Sequence, residues 1–389
     1  MTAESTISSA ARAYLRWALI DGIGPIRFAR IIERFGSADA AARASHGQFT
    51  EISGIGRETA EKIERGLSDD AVIESEVAAA AKHGVSIICR EDANYPPALL
   101  KIPDPPIVLF VKGELRRTDA ISVAVVGSRR CSIYGGEQAR RFGELLANAG
   151  ITVISGLARG IDAFAHHGAV DAGGRSIAVL GSGLNDIYPP ENRPLAERLL
   201  QHGVWLAEAP MLAPVRASNF PSRNRIIAGM TLGTLVVEAA ARSGALITAR
   251  LAMEYNREVF AIPGRLQEAT CVGTNALIRD GATLVTCLDD ILDELGDLGA
   301  QLKPRQSPPT LFDAEGMAQQ SENESSTPTA NLSAGETALY GLLSQNPITQ
   351  EALISRCEIS VGDALAALTS LELKGLAKRT ADRRIQRAR

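Results

Sequence analysis

Residues 218–230, SNFPSRNRIIAGM, set an aromatic and a proline beside two closely spaced arginines, directly ahead of the apolar Ile226-Ile227-Ala228. A guanidinium makes planar, bidentate contacts to phosphate oxygens and does not titrate away. An aromatic ring offers a face on which a base stacks. Phe220, Arg223 and Arg225, with Arg216 shortly before them, therefore carry the chemistry of single-stranded nucleic-acid binding. Taken alone, Phe220 reads equally as a core residue or as a stacking platform.

Three apolar runs end alike, at Val126-Gly127-Ser128, Ile154-Ser155-Gly156 and Leu180-Gly181-Ser182-Gly183. As parallel strands they would bring their carboxyl ends to one edge, where Gly lets backbone N–H groups converge and Ser adds a donor. Such an edge suits anions, phosphates above all. The first following loop carries Arg129 and Arg130, and the second carries Arg159. That first loop, GSRRCSIYGG, is not GxGxxG, no carboxylate follows the second strand where a dinucleotide ribose would be held, and Walker A is absent. NAD and FAD are thus not expected, nor is any other cofactor. His166-His167 lie beside Ala and Gly without a Ser-base-acid set, so they read as packed residues rather than catalysts. Glu208 and Glu238 end apolar strands and could act as acids; orienting the arginines by ion pairing is the preferred reading.

The elements that must position these residues alternate from about 121 to 295. ISVAVV, ITVIS, SIAVL, VWLAE, LVVEA, EVFAIP and TLVTCL are short and continuously apolar, as strands covered on both faces should be. Amphipathic helices lie between them, for example Ala139, Phe142, Leu146 and Ala149 at helical spacing. The fold class is a doubly wound α/β sheet over residues 69–296, with VSIIC and the Pro-punctuated IVLFVKG attached to it. Ahead of it, residues 1–68 repeat a Gly-Ile-Gly turn, Gly22-Ile23-Gly24 and Gly54-Ile55-Gly56, each leading into a helix, with Ile31 recurring as Ile63. Such a turn serves equally as a plain connector or as a donor of N–H groups to a phosphate. Residues 297–332 are rich in Pro, Ser, Gln and Asn and read as a linker, and 333–389 read as three helices with a terminal β segment, a winged helix-turn-helix. The last helix, 361–373, carries no Arg, Asn or Gln to read bases, so sequence-specific recognition is not expected.

Composition bounds the rest. With 389 residues, 45% hydrophobic and 22% charged, the chain is expected to form two or three globular domains. A net charge of -4 means that any nucleic-acid site must be a local cluster. The five cysteines form no CxxC pair, which speaks against a disulfide framework and a zinc site. No run of 18 apolar residues and no signal peptide is recognisable, so a cytoplasmic location away from membranes is expected.

VAVVGSRRCSIYG, VISGLARGIDAFAHHGAV, AVLGSGLNDIYPPEN, NFPSRNRIIAGM, VVEAAARSGALITARLAMEYNREVFAIPG and GTNALIRDGATLV, in that order, closely resemble the motifs of the DNA-processing protein A (DprA, or Smf) family. The resemblance covers most of 121–290. It implies an extended Rossmann-like core, an N-terminal SAM-like or helix-hairpin-helix domain and a C-terminal winged helix. It further implies a non-enzymatic homodimer that binds single-stranded DNA without sequence preference and loads RecA recombinase onto it during natural transformation. Carried over by motif, the DNA-binding residues are Ser128, Arg129, Ser155, Gly156, Phe220, Arg223, Asn224 and Arg225. The chain has Ala207 where members often have Ser. It also has Arg216-Ala217-Ser218 where a Lys is common before the Phe-Pro pair, leaving Arg216 as the candidate for that contact. A rival class exists, since related Rossmann-like folds hydrolyse nucleotide N-glycosidic bonds, and Glu238 in GTLVVEA could approach a ribose.

Overall fold

A computed structural model describes residues 7–216, 219–302, 334–343 and separate short stretches between 348 and 387. Two compact units result, Met1–Pro308 and Pro309–Arg389.

The first unit opens with α1 (Ser9–Ala18), α2 (Pro25–Phe35), α3 (Ala38–Ala41), α4 (His46–Thr50) and α5 (Arg57–Leu67). The sequence repeat is structural. Gly22 and Gly54 take φ of 87° and 84°, values that only glycine adopts readily, and so turn the chain into α2 and α5. Their equivalent apolar residues Ile31 and Ile63 are both fully buried, around Trp17, Phe28 and Phe49. This apolar core does not stop at residue 68. It runs on through Ile73, Val85 and Phe110 to Trp205, so the helical module and the outer strands of the sheet share one interior.

After α6 (Asp70–Lys82) come β1 (Val85–Cys89), β2 (Val108–Gly113), β3 (Ser122–Val126), α7 (Ile133–Asn148), β4 (Thr152–Ser155), α8 (Ile161–Asp171) and β5 (Ser176–Leu180). The unit continues with α9 (Arg193–Leu199), β6 (Val204–Ala207), α10 (Asn219–Met230), β7 (Gly233–Val236), α11 (Gly244–Glu254), β8 (Glu258–Ala261), α12 (Val272–Arg279), β9 (Thr283–Leu284), α13 (Leu288–Glu294) and α14 (Gly296–Leu302). All seven apolar runs are strands. The sheet has nine, in the order β1-β2-β6-β5-β4-β3-β7-β8-β9. β1 pairs antiparallel with β2, β2 pairs antiparallel with β6, and every other pairing is parallel. From β3 the chain moves outward one way through β4, β5 and β6 and then returns to β3 with β7, which puts the reversal of strand order between β3 and β7. Alternate residues of β3 serve opposite faces: Val123 and Val125 pack under α7 and α8, Ala124 and Val126 under α10 and α11.

The stretch expected to be a linker begins helical, because α14 runs to Leu302. Its remainder, 303–332, lies outside the described residues. In the second unit α15 (Ala334–Leu342) precedes the antiparallel pair β10 (Ala377–Arg379) and β11 (Ile385–Arg387). Ile348 bridges to Ile385, and Leu339, Leu353, Leu368, Leu371 and Ile385 form the core. Helix, hairpin and bridging strand agree with a winged helix. Most of 361–373, with Arg383, Arg384 and Arg389, lies outside the described residues.

Close backbone approach sets the spacing of α7 and α8. A Cβ at Gly168 would lie 1.9 Å from the Arg140 carbonyl oxygen, and one at Gly143 would lie 2.3 Å from that of Ala165. Gly168→Ala should therefore lower stability by about 1–3 kcal/mol or more through overpacking. Gly47→Ala, at a helical position with nothing within 4 Å, should leave it unchanged or raise it by about 0.5–1 kcal/mol. Thermal melts of the two variants would reveal the ordering.

Candidate nucleic-acid interface

The carboxyl edge of the sheet forms, as expected, from the ends of β3, β4 and β5, and α10 lies against it. Behind β3 the Ser128 N–H donates to the Glu238 carbonyl at 2.7 Å, and the Ser128 hydroxyl accepts from the Arg130 N–H at 3.1 Å. This tight turn throws Arg129 and Arg130 outward, and both are exposed. The Arg129 guanidinium stands 5.0 Å from the centroid of the Phe220 ring, a cation-π contact. On Phe220 also leans Tyr188, with centroids 5.8 Å apart at an interplanar angle of 49°. Phe220 is half-buried, so both readings of it hold in part: one side packs on the protein and the rest reaches the surface.

The glycines have a different duty from the one expected. A Cβ at Gly181 would fall 2.9 Å from a Phe220 ring carbon, and one at Gly156 would fall 1.6 Å from Nη1 of Arg223. Both glycines clear space for side chains of α10. The Gly156 N–H does not face outward, because it donates to the Asp162 carboxylate at 3.1 Å. Ser155 is likewise turned in, its hydroxyl donating to the Val125 carbonyl at 2.6 Å.

Burial separates the arginines into two sets. Ile226, Ile227 and Ala228 are fully buried, and the preceding turn of α10 goes in with them. Arg223 is 6% exposed, donates from Nη1 to the Val179 carbonyl at 2.6 Å, and has Asp162 as its nearby countercharge. Burial pulls its pKa down to about 10, so it remains a cation at neutral pH. Arg225 is 7% exposed and is held by the Asp104 carbonyl at 2.6 Å, the Asp104 carboxylate at 3.3 Å and the Glu208 carboxylate. Each of its three nitrogens has a protein acceptor, and Arg225 acts as a brace between α10 and two loops. Glu208 thus pairs with an arginine, the preferred alternative. Arg159 is on the surface but paired with Glu191. Asn224 is half-buried, its amide 3.4 Å from the Gly244 carbonyl. Arg129, Arg130 and the exposed Arg216 make no ion pair among the described residues.

Glu238 does not orient arginines. Its carboxylate accepts the Ser132 N–H at 2.9 Å and the Ser132 hydroxyl, and it fills the space in which a Cβ of Gly135 would lie. An internal anion thereby occupies the N-terminus of α7, where a nucleotide phosphate sits in dinucleotide-binding folds. With both oxygens engaged by Ser132, it holds the residue whose hydroxyl caps the Gly135 N–H.

Two participants escaped the sequence reading. Tyr188 stands in the loop after the third Gly-Ser strand end, and an aromatic there is its only sequence signal. Asp162, fully buried, holds Gly156 and Ala158 and faces Arg223; its pKa is raised by burial against the pull of that arginine.

The fold and the edge define a class: a doubly wound α/β protein with an exposed cationic and aromatic rim in place of a nucleotide-phosphate loop. A family model described as DNA recombination-mediator protein A matches residues 86–296, with a SAM-like helix-hairpin-helix tandem at 18–69 and a DprA winged helix domain at 323–383. Protein Smf of Synechocystis is 32% identical over 96% of this chain and 98% of its own length. Protein Smf of Escherichia coli is 50% identical over 54% of this chain and 56% of its own. The X-ray structure of DNA processing protein A from Streptococcus pneumoniae matches with a TM-score of 0.64 at 34% identity, covering 73% of this chain and 97% of that one. The chain belongs to the DNA recombination-mediator protein A family. Among the described residues, no helix is long and apolar enough to cross a membrane.

His166, next to this edge, is completely buried with Nδ1 2.7 Å from the Ser176 hydroxyl. Burial, with smaller contributions from His167 and Arg223, pushes its pKa from 6.5 down to about 3. The unfolded chain takes up a proton below pH 6.5 that the folded chain refuses, so stability present above 6.5 is lost as pH falls toward 3. His166→Gln should flatten this loss between pH 6.5 and about 4.5, above the ordinary carboxylate range. Parallel profiles of melting temperature against pH for parent and variant would contradict a neutral, buried imidazole.

Proposed function

We propose that the protein binds single-stranded DNA without sequence preference along the carboxyl edge of its sheet. As a non-enzymatic mediator in recombination and DNA uptake, it loads RecA recombinase onto the bound strand. The observation that carries this reading is the cluster of Arg129, Phe220 and Tyr188, two rings and a guanidinium in contact at the surface. Membership of the recombination-mediator family supports the choice of DNA as the polymer.

The residues divide the work. Phe220 and Tyr188 supply faces for bases, at about 1–3 kcal/mol for each base stacked. Arg129, Arg130 and Arg216 supply mobile charge, and three neutralised phosphates on a single strand give a log-log salt slope of roughly -2. Arg223 adds a fixed positive potential from beneath, while Gly156 and Ser155 shape its seat and Ser128 shapes the Arg129 loop. Asn224 flanks the platform, and Arg159 can exchange Glu191 for phosphate. Binding by one chain is modest on these magnitudes, which favours a homodimer that doubles the contacts.

Phe220→Ala should weaken binding of an oligothymidylate by about 5- to 100-fold, the loss of one stacked base. Arg129→Ala should weaken it too and reduce the salt slope by about 0.7. Arg225→Gln should lower the melting temperature and leave that slope unchanged. Fluorescence anisotropy across a salt series reads all three, and parent-like affinity of both Phe220→Ala and Arg129→Ala would dismiss the site. Release of free base from nucleoside monophosphates would instead favour a hydrolase.

A further inference from the structure

Helix α6 buries a carboxylate that no part of the site above accounts for. Ile73, Glu76 and Ala80 recur at three- and four-residue spacing, and all three are buried. Glu76 therefore stands on the inward stripe of the helix, 4% exposed. Its partners are backbone groups: it accepts the Met211 N–H at 2.7 Å and the Leu212 N–H at 3.2 Å. Both residues belong to the segment that leads from β6 past Arg216 into α10. Resting on the single-strand reading above, we propose that Glu76 is a positioning residue of the edge, fastening this segment so that Arg216 stands ready for a phosphate.

Stability gives little reason for a carboxylate at this position. No cation pairs with Glu76 among the described residues, and burial raises its pKa above the ordinary value even against the two hydrogen bonds it accepts. Burying a charge without a counter-ion is unfavourable, and an apolar side chain would fill the stripe as Ile73 and Ala80 do. What the carboxylate supplies is a pair of acceptors for two adjacent N–H groups. An apolar side chain offers neither, and an amide offers one.

The segment is fastened at its start and open afterwards. Met211 is 1% exposed and belongs to the same apolar core as Ile73, and the Ala213 N–H turns back to the Pro210 carbonyl at 3.0 Å. The loop after β5 passes close by, because a Cβ at Gly183 would fall 2.3 Å from the Pro210 carbonyl oxygen and 2.5 Å from that of Met211. Beyond this point Leu212, Pro214, Val215 and Arg216 are all exposed. The place of Arg216 therefore depends on residues 210–213 and on α10, whose Asn219 N–H donates to the Arg216 carbonyl at 3.1 Å. A loose loop must be ordered when a ligand binds, and holding it in place beforehand raises affinity by removing that loss of freedom.

Glu76→Gln keeps the shape and removes one acceptor. With full-length protein and a long oligothymidylate, well below the melting temperature of each variant, it should bind about three- to ten-fold more weakly. Loss of a negative charge by itself favours DNA, so this change runs against the net charge. Glu74→Gln makes the same charge change on the exposed side of α6, where Glu74 pairs with Arg12, and should not weaken binding. Arg216→Ala should weaken binding and lose about 0.7 of the salt slope. Adding Glu76→Gln to Arg216→Ala should then change nothing further, because the segment has no charge left to place. Glu76→Met, which fills the stripe without a polar group, carries the same expectations and replaces Glu76→Gln should that variant fail to fold. Parent-like binding by the Glu76 variant or by Arg216→Ala, an equal loss in Glu74→Gln, or losses in Glu76→Gln and Arg216→Ala that multiply would each overturn this role, the last by marking a merely structural effect. The edge would still be upheld by loss of binding in Phe220→Ala. Parent-like binding by both Phe220→Ala and Arg129→Ala would remove the edge and this role with it.

Discussion

The structure depends on how α10 seats itself on the ends of β4 and β5. Arg223 lies where a Cβ of Gly156 would be and Phe220 where one of Gly181 would be, so the helix can approach only because both strand ends lack side chains. The seat fixes the rest. It sets the surface height of Phe220, and with it the place where Arg129 and Tyr188 meet the ring. A methyl group on either glycine would have to displace a guanidinium or a benzene ring from a site already close-packed, a change that reaches every contact on the edge.

Charge is layered in the same place. Deep arginines are bound to the protein: Arg223 to the Val179 carbonyl and the field of Asp162, Arg225 to Asp104 and Glu208. Buried guanidinium groups need such partners because leaving them unpaired costs several kcal/mol. Of the outer arginines, Arg159 is paired with Glu191, whereas Arg129, Arg130 and Arg216 make no ion pair among the described residues. The N-terminus of α7 shows the same economy in reverse, its Gly135 N–H capped by the Ser132 hydroxyl and Ser132 held in turn by Glu238. A sheet of doubly wound topology thus keeps its cationic rim while its usual nucleotide-phosphate position is blocked.

Much of this was legible in the residues, and the failures share one cause. Seven continuously apolar runs became seven strands because covering a parallel sheet on both faces leaves no alternation to hide. The Gly-Ile-Gly repeat and its equivalent Ile31 and Ile63 were readable because a positive φ admits little besides glycine. Arg225, read from the sequence as a phosphate clamp, is held by protein partners instead. Its partners, Asp104 and Glu208, are brought together only by the tertiary fold, 121 and 17 residues away in sequence. The fully buried run Ile226-Ile227-Ala228 did warn that its neighbours on α10 would go inside with it. Ser155 and Gly156 were read as donors from their types, yet a donor type says nothing of whether Val125 or Asp162 already accepts its hydrogen bond. Tyr188 left almost no trace, since a ring's usefulness here comes from its distance to Phe220.

The division into an inner and an outer set of arginines also bears on how such a protein would work. A mediator has to hold a strand and then yield it, so its affinity must come from many weak terms. Contacts made by exposed, unpaired arginines are of this kind: each is screened by salt, each can be released separately, and none leaves a buried charge exposed when it breaks. Were Arg225 a phosphate clamp, every engagement would leave Asp104 and Glu208, both partly buried, without their counter-ion. Keeping those carboxylates paired would let the rim of the proposed site change its occupant without disturbing the fold beneath it. On the proposed reading, the aromatic pair would add energy that salt does not screen and that every base can provide, which is what acting on any sequence requires.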